Sequence, residues 1–302
     1  MIKEIARFAG SMPVTRKIGY MVLGFNQFVW ERLPEAVLRW NIVQSIGRLV
    51  HAVVKIRDSR TQNPWTYFLR NRAEMDLVHE IVSSRPDNSS VNLLVLACSV
   101  GMEVYSIQWR LNDLKSRFNL QLSGLELSEE SLEMAKKGEY PLDEYESHME
   151  RLTDRERDEF FSIQDNVAGV HPWLKENINW YGGNACDPGL VDLLGEQDIV
   201  LANRFLCHMG PEDAGKCLGN ITKLVKPGGY LFVSGVDLGV RQEVMDQSDF
   251  EPVRDRLEEI HNGDYTLLRG WPWSYWGLEP LSDKADNYIS RYAMVYKRNK
   301  LD

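Results

Sequence analysis

The sequence predicts an α/β fold, with a doubly wound, mostly parallel sheet and a helical segment added at the N-terminus. Beyond residue 63, short runs of branched apolar residues alternate with amphipathic stretches, which is typical of alternating strands and helices. Before it, apolar residues recur every three or four positions from Val22 to Val53, which indicates one long helix or two helices that meet near Pro34. We therefore expect a helical segment over 1–62 and an α/β domain over 63–302.

The strand and helix patterns can be placed along the chain. Strands are predicted at Val91–Ala97, Leu120–Leu127, Ile178–Tyr181, Asp198–Ala202 and Tyr230–Ser234, with a final strand at Asn287–Tyr296. Helices are predicted at Trp65–Ser84, Glu103–Lys115, Glu129–Lys137 and Ala214–Val225. The polar, irregular stretch 140–177 fits neither pattern, and we expect it to be a small insertion.

Composition and charge exclude some classes of function. The 302 residues are 43% apolar and carry a net charge of −9, so the chain buries a core but lacks the overall cationic surface of a nucleic-acid binder. The charge is uneven, because residues 1–60 hold ten Lys/Arg against four Asp/Glu, a net +6, and the remainder holds 25 against 40, a net −15. No nucleic-acid partner is expected.

The basic N-terminal segment admits three interpretations. An amphipathic helix with arginines off its apolar face can lie on a membrane surface, pack on the body of the protein, or join two subunits in a homo-oligomer. We favour packing, because an apolar stripe most often faces a protein core. The longest apolar stretch near the start, Tyr20 to Phe25, is far too short to cross a bilayer and does not lead to a cleavage site.

The four cysteines are scattered along the chain. Cys98, Cys186, Cys207 and Cys217 form no C-x-x-C pair, so the spacing indicates neither a zinc site nor a disulfide framework, and no metal is expected. With no signal peptide, the cytoplasm is the expected compartment.

Small residues follow the first predicted strand. The segment Ala97–Glu103 reads A-C-S-V-G-M-E and leads into a helix. Small residues let the backbone approach a ligand, and a helix N-terminus offers N–H groups to it. Because Gly101 is the one glycine here, the segment is not a G-x-G-x-x-G loop, and a pyrophosphate is disfavoured.

An acidic residue, Glu126, ends the second predicted strand. It follows Gly101 by 25 residues, where a carboxylate can accept hydrogen bonds from both hydroxyls of a ribose. Asn184 follows the third strand, and a Lys-Pro-Gly-Gly turn at 226–229 precedes the fifth. A nucleoside cofactor without phosphates fits better than NAD, and S-adenosylmethionine is the predicted one.

At these motifs the sequence resembles a known family. Residues 66–70 read T-Y-F-L-R and residues 97–106 read A-C-S-V-G-M-E-V-Y-S, which are similar to T-x-F-F-R and G-C-S-T-G-E-E-P-Y-S of the CheR-type chemotaxis-receptor glutamate methyltransferases. Weaker similarity lies in 132–140 and 178–184. The resemblance covers about 63–236 and implies the class I methyltransferase (Rossmann-like) fold with S-adenosylmethionine as cofactor.

The predicted cofactor-binding residues come from the resemblance and from the strand ends. The resemblance implies Thr66, Arg70, Glu103, Glu126, Asn184 and Ala185, the loop adds Ala97, Ser99 and Gly101, and the end of the fourth strand adds Asn203 and Arg204. Glu126 would hold the ribose, and Glu103 would lie near the amino-acid end. Alternatively, Arg70 is a surface ion-pair residue and Glu103 only complements the helix dipole.

The sequence departs from the family after the fourth strand. The family's Cys-Arg-Asn is here Ala202-Asn203-Arg204, and His208-Met209 replaces an aromatic pair. His208 is the predicted base for a hydroxyl or amine acceptor, since imidazole ordinarily titrates near neutral pH, or else a structural histidine. For a carboxylate acceptor no base is needed, and Arg70 or Arg204 would orient it.

An aromatic segment near the C-terminus is a second candidate for substrate binding. Trp271, Trp273, Tyr275 and Trp276 lie between glycine and proline residues, which makes a stiff loop. They can form a wall of the acceptor pocket, or they can pack the loop against the protein. We predict transfer of a methyl group from S-adenosylmethionine to a small-molecule acceptor. The alternatives are a protein carboxyl (glutamate) methyltransferase and a non-catalytic cofactor-binding protein.

Overall fold

The structure, a computed structural model, describes residues 30–300 except 31, 39, 59, 62–64, 283–284 and 286. It divides into two compact units. One consists of the described part of Met1–Arg60 with Tyr265–Tyr288, and the other of Thr61–Asp264 with Ile289–Asp302. The division places 265–288 with the N-terminal segment, a grouping that local sequence patterns did not indicate. The two domains expected at 1–62 and 63–302 stay a prediction.

The described strands all belong to the second unit. They are β1 Ser90–Leu96, β2 Asn119–Glu126, β3 Glu139–Pro141, β4 Phe161–Gln164, β5 Val167–Val170, β6 Ile178–Gly182, β7 Gln197–Asn203, β8 Val225–Ser234, β9 Phe250–Pro252 and β10 Val295–Arg298.

Helices precede the strands, connect them and follow them. They are α1 Glu35–Leu38, α2 Asn41–Arg57, α3 Arg72–Ser83, α4 Met102–Arg110, α5 Glu129–Lys137, α6 Leu142–Tyr145, α7 Asp154–Phe160, α8 Pro172–Lys175, α9 Leu190–Leu194, α10 Pro211–Ile221, α11 Leu238–Asp246, α12 Leu257–Gly263, α13 Tyr265–Gly270 and α14 Tyr288–Tyr292. Short 3₁₀ turns lie at Asn112–Leu114, Glu146–Met149, Leu206–His208 and Thr222–Leu224.

The main sheet has seven strands in the order β6-β2-β1-β7-β8-β10-β9. The five neighbouring strands β6, β2, β1, β7 and β8 are parallel to one another. Strand β10 runs antiparallel to both β8 and β9. The inner strand β1 is fully buried over Leu93–Leu96, as expected for a parallel strand inside an α/β fold. The order reverses between β1 and β7, so the carboxyl ends of β1, β2 and β7 meet where such sheets bind ligands. The α/β prediction is confirmed.

Two predicted elements differ most from the structure. The helix predicted from Trp65 begins only at Arg72, because Asn71 caps it and accepts a 3.3 Å hydrogen bond from the Glu74 N–H. The final strand predicted over Asn287–Tyr296 is instead the short helix α14 followed by β10. Alternation of apolar and polar residues over so few positions does not distinguish a strand from a short helix, since a helix of five residues also buries only one side.

The stretch 140–177 contains secondary structure that its composition did not predict. Strands β3, β5 and β4 form a three-stranded antiparallel sheet in that order. Its core includes Tyr140, Phe160 and Phe161, which pack edge-on around Phe68. A few large aromatic residues thus order a segment that is otherwise polar.

The expectation that no disulfide forms was wrong for one pair. Cys186 and Cys217 are bonded, with their Cα atoms 4.4 Å apart. The two residues are 31 positions apart in the sequence, so no short spacing motif reveals them. Cys98 and Cys207 are both buried.

In the first unit, helix α2 packs on the segment Tyr265–Tyr288. The Gln44 amide donates to the Leu281 carbonyl at 3.2 Å, and Arg48 forms a 3.1 Å ion pair with Glu279. Another face of α2 exposes large apolar side chains, including Ile42 and Ile46. In the described part of the chain, no helix combines the length and apolar character needed to span a bilayer. Membrane contact, homo-oligomer formation and the cytoplasmic location stay predictions.

Candidate active site

The loop after β1 has an unusual backbone conformation. Ala97, Ser99 and Gly101 adopt positive φ values of 50°, 51° and 86°. Non-glycine residues pay a steric cost there, so the rest of the structure must hold the loop in place. A Cβ atom on Gly101 would lie 2.9 Å from the Cβ of Ala135 on α5. This site therefore requires glycine both for its φ angle and for the close approach of α5.

Glu126 at the end of β2 holds this loop. Its Oε2 accepts a 2.8 Å hydrogen bond from the Ser99 N–H, and its Oε1 accepts a 2.9 Å bond from the Ser128 N–H. Each carboxylate oxygen can accept a further bond, since each has two lone pairs. The carboxylate is partly exposed, so these lone pairs are available to a ligand that carries two neighbouring hydroxyls.

The predicted residues after β6 lie beside the end of β2. Gly182 of β6 is the register partner of Glu126, and Asn184 follows two residues later. The Asn184 side chain accepts a 3.0 Å bond from the Cys186 N–H, while Ala185 is buried. The structure thus brings the residues after β1, β2 and β6 to one edge of the sheet.

A buried polar cluster connects α3, α4 and the end of β7. The side-chain amide of Asn203 donates one hydrogen to Glu74 Oε1 and the other to Glu103 Oε1, both at 2.7 Å. The Ser234 hydroxyl donates to Asn203 Oδ1 at 2.9 Å. With its oxygen occupied in this way, Asn203 is oriented to hold the two carboxyl groups side by side.

The two carboxyl groups affect each other's ionisation. The pKa of Glu74 is raised to about 8, mainly because the carboxyl group is buried and secondly because Glu103 lies next to it. Burial also raises the pKa of Glu103, although the Asn203 hydrogen bond and the nearby arginines oppose it. Because adjacent carboxylates repel one another, ionisation of the second carboxyl group of the pair is disfavoured.

Two arginines border this cluster. Arg70 donates to the Trp65 carbonyl at 3.1 Å, and its guanidinium lies 5.0 Å from the centre of the Tyr67 ring. Arg204 forms an ion pair with Asp264. Burial lowers the pKa of Arg70 to about 10. The pKa of Arg204 is lowered mainly by burial and secondly by repulsion from Arg70. Both guanidinium groups act electrostatically on Glu74 and Glu103, so their positive charges favour an anion beside this cluster.

Thr66 and His208 lie on segments that adjoin the cluster. Thr66 is buried in the stretch that leads to Arg70. His208 ends the 3₁₀ turn that follows β7, and it is partly buried. Its role as a general base stays a prediction.

The four aromatic residues predicted to bind substrate belong to the first unit. Trp271 is buried there, 5.5 Å from Trp30 in an edge-to-face arrangement. It also lies over Gly47, where an added Cβ would come within 2.2 Å of the indole. Arg60 lies 5.7 Å from the centre of the Tyr275 ring.

The other two members of this aromatic segment, Trp273 and Trp276, are partly buried. Trp276 packs over Gly270, where an added Cβ would approach its ring to 2.3 Å. Trp271 and Trp276 thus pack within the first unit, and a role of the four aromatic residues in substrate binding stays a prediction.

Sequence reasoning missed Glu74 and Asp264. Glu74 lies on the same face of α3 as Leu77, Val78 and Ile81, all of which are buried. A carboxylate on an apolar helix face is the signal that could have identified Glu74. Asp264 pairs with Arg204 across 60 residues of sequence, so no local pattern indicates it.

A cavity of about 750 Å³ lies elsewhere in the second unit. Its lining includes Arg72, Trp109, Arg110, His171 and Trp173. None of the predicted site residues lines it, and it borders the C-terminal end of α4, whereas Glu103 is in the first turn. We place the candidate site at the strand ends, because the predicted residues converge there.

Comparison with known proteins identifies a family. The family described as "CheR methyltransferase, SAM binding domain" matches residues 65–251. The probable biofilm formation methyltransferase WspC of Pseudomonas putida is 26% identical over an alignment of 220 residues that covers 69% of this chain and 49% of that protein. A chemotaxis protein methyltransferase of Vibrio parahaemolyticus is 27% identical over an alignment of 256 residues that covers 78% of this chain and 88% of that protein. This chain spans about half the length of the WspC relatives.

Two solved structures of methyltransferases align with this chain. The CurJ carbon methyltransferase aligns with 76% of this chain and 54% of its own, at 12% identity and a TM-score of 0.40. An O-methyltransferase family protein of Burkholderia thailandensis aligns with 95% of this chain and 72% of its own, at 14% identity and a TM-score of 0.37. The family match and the observed sheet give this chain the class I methyltransferase fold, as the sequence predicted.

Proposed function

We propose that this chain, which belongs to the CheR methyltransferase family, transfers a methyl group to a carboxylate of a protein. Family membership makes it an S-adenosylmethionine-dependent methyltransferase, and the acceptor is the part that we infer. The observation that carries the inference is that two partly buried arginines, Arg70 and Arg204, border the cluster at the end of the sheet, and that the Arg70 Nε has no hydrogen-bond partner among the described residues.

The residues at the strand ends fit the cofactor. Glu126 retains a lone pair on each oxygen for the two ribose hydroxyls, and the strained loop at 97–101 brings backbone close to it. Glu103 would meet the amino-acid end. When bound, S-adenosylmethionine supplies a methyl group that is already electrophilic because it is attached to a sulfonium.

The arginines would bind the acceptor. A guanidinium forms two parallel hydrogen bonds with a carboxylate, which fixes its orientation as well as its position. Among the described residues, the buried Arg70 Nε has no hydrogen-bond partner, so this edge of the guanidinium can donate to an incoming group. Arg204 is already paired with Asp264 and would contribute mainly its charge.

Orientation is the main contribution that the protein needs to make. A carboxylate is a nucleophile without loss of a proton, so the reaction requires no general base. Holding the carboxylate oxygen in line with the methyl group supplies most of the rate effect. Under this proposal His208 does not act as a base.

A protein acceptor is favoured over a small molecule for two reasons. Trp271 and Trp276, two of the four aromatic residues that suggested an enclosed pocket, pack within the first unit. Arg70 donates to the carbonyl of Trp65, whose side chain is 53% exposed, so this side of the arginine adjoins an open surface. The family that the sequence resembles methylates receptor glutamates, in agreement with this choice.

The linkage formed by the reaction tests the proposal. The purified protein is incubated with S-adenosylmethionine that carries a radioactive methyl group and with proteins extracted from the source cells. We expect label in a protein band that mild base releases as methanol, because carboxyl methyl esters hydrolyse easily. Label that resists base, or label confined to the low-molecular-weight fraction, would overturn the protein carboxylate acceptor. Arg70→Lys keeps the charge but loses the two-point contact, and it should lose most of the labelling.

A further inference from the structure

Helix α2 packs on the segment Tyr265–Tyr288 along one line of residues. The buried Gln44 side chain donates to the Leu281 carbonyl at 3.2 Å, and the ring of Trp271 covers Gly47. One turn further, His51 Nδ1 lies 3.3 Å from the Pro272 carbonyl. Positions 44, 47 and 51 are spaced by three and four residues, so they share one side of the helix, which is its packing face.

The opposite side of α2 carries a stripe of aliphatic residues that faces outward. Its most exposed members are Ile42, Ile46, Leu49 and Ile56, at 69%, 53%, 53% and 52% exposure. At about 100° per residue these positions lie opposite the packing face, and they extend over about 21 Å of helix. Single exposed apolar residues are ordinary, whereas a continuous apolar stripe marks an interaction surface. We call these four residues the outer stripe.

The charged residues of α2 are all cationic. Over Asn41–Arg57 the sequence contains Arg48, Lys55 and Arg57 and no aspartate or glutamate. Residues 1–60 as a whole carry a net charge of +6. The outer stripe therefore belongs to a positively charged helix, which attracts an anionic partner and repels a second copy of itself.

Trp40, directly before α2, adds an exposed aromatic residue to this part of the chain. Its side chain is 59% exposed. Indole is apolar but has one polar N–H, so tryptophan is enriched where a hydrocarbon layer meets water. An aliphatic stripe on a cationic helix, with an exposed tryptophan at its start, is typical of a helix that lies in a membrane interface.

We propose that the outer stripe of α2 binds the surface of an anionic lipid bilayer, with the helix parallel to that surface. The aliphatic side chains enter the boundary between headgroups and acyl chains, and the cations of the helix are attracted to the lipid phosphates. A fluid bilayer adapts to a convex helix surface, whereas a protein partner needs a groove of matching shape. The inference concerns the first unit and does not depend on which acceptor is methylated.

Sedimentation with lipid vesicles tests the proposal on the full-length protein. Vesicles of phosphatidylcholine alone are compared with vesicles of equal parts phosphatidylcholine and phosphatidylglycerol. We expect binding to the anionic vesicles that weakens as the salt concentration rises, because salt screens the attraction between the helix and the lipid. Equal binding to both kinds of vesicle, or no binding to the anionic vesicles at low salt, would overturn the proposal.

Substitutions in the outer stripe test whether this surface makes the contact. Ile42→Ser and Ile46→Ser should each weaken binding to the anionic vesicles by about tenfold, because each removes one aliphatic side chain from the apolar layer. Leu193→Ser, at a 65% exposed position on α9, is the control and should bind as the wild type does. Undiminished binding by a variant that carries both isoleucine substitutions would exclude the stripe. A lowered melting temperature of that variant would show that the stripe packs on the protein instead.

Tryptophan fluorescence locates the contact independently. Lipids brominated on their acyl chains quench a tryptophan that lies within the bilayer interface. The wild-type protein should lose fluorescence on binding such vesicles, Trp40→Phe should show much less quenching, and Trp65→Phe should behave as the wild type does. Equal quenching of all three proteins would contradict the assignment. A wild-type dimer that becomes monomeric with Ile46→Ser, without vesicle binding by either protein, would assign the outer stripe to a second copy of the chain and overturn the proposal.

Discussion

The side-chain amide of Asn203 donates a 2.7 Å hydrogen bond to the buried carboxyl group of Glu74. The other amide hydrogen binds Glu103 at the same distance, so one residue at the end of β7 links two helices. The family's pattern has Arg-Asn where this chain has Asn203-Arg204. The link between the two helices gives this exchanged order a structural role in this chain.

Asn203→Ala removes both hydrogen bonds at once. We expect the free energy of unfolding to fall by about 1–3 kcal/mol, because the buried Glu74 and the partly buried Glu103 both lose a donor. Affinity for S-adenosylhomocysteine should fall as well, since Glu103 loses its orientation. Chemical denaturation and calorimetry measure the two effects. The exposed Asn179→Ala on β6 is the control and should change neither. Wild-type values for Asn203→Ala would show that the bridge has no energetic role.

Glu126→Ala tests the predicted ribose site. Loss of a charged acceptor should weaken S-adenosylhomocysteine binding by about 1–3 kcal/mol, as measured by calorimetry. Glu129→Ala, at an exposed position in the first turn of α5, is the matched control and should bind as the wild type does. Unchanged affinity for Glu126→Ala would remove this residue from the cofactor site.

Glu74 also makes the stability of the protein depend on pH. Its pKa is raised to about 8 in the folded state, so the folded state binds more protons than the unfolded state between about pH 4.5 and about pH 8. Stability contributed by Glu74 is complete below this window and is lost as the pH rises through it, at up to about 1.4 kcal/mol per pH unit.

The comparison with Glu74→Gln isolates this effect. The variant should gain stability relative to the wild type as the pH rises from about 6 to about 8. Denaturant titrations at each pH measure the difference. A difference between the two proteins that does not change with pH would mean that Glu74 titrates at the same pH in the folded and unfolded states.

The aromatic segment allows packing and substrate contact to be separated. Trp271→Ala should lower the free energy of unfolding by about 3–5 kcal/mol, because it removes the ring that covers Gly47. For Trp273→Ala and Trp276→Ala, turnover per folded molecule is the deciding measurement. A stable variant that binds S-adenosylhomocysteine but no longer methylates would restore the pocket interpretation. Normal turnover from destabilised variants would exclude it.

Much of the fold could be predicted because its signals are local. A run of branched apolar residues such as Leu93–Leu96 indicates a buried parallel strand from composition alone, and the structure has β1 there. The helix predicted at Glu129–Lys137 matches α5, whose ends carry a Ser128 cap and a left-handed Gly138. The start of α3 was predicted too early, because Asn71 terminates the preceding loop with a side-chain bond that periodicity does not contain.

The candidate site was only partly predictable, for a physical reason. Glu126 is recognisable because its distance from Gly101 follows from strand and helix lengths. Asp264 and the Cys186–Cys217 pair depend on contacts between distant segments, which a single sequence does not reveal. Glu74 is an intermediate case. Its position on an apolar helix face can be recognised in the sequence, but its hydrogen bond with Asn203 cannot.

The chemical identity of the methylated atom tests the central claim most directly. Acceptor protein labelled by the purified enzyme is digested with protease at mildly acidic pH, which preserves esters, and is sequenced by tandem mass spectrometry. The account predicts the added methyl group on a glutamate side-chain carboxyl, and no such peptide with Arg70→Ala. A methyl group on a nitrogen, on a hydroxyl or on a small molecule would contradict the account.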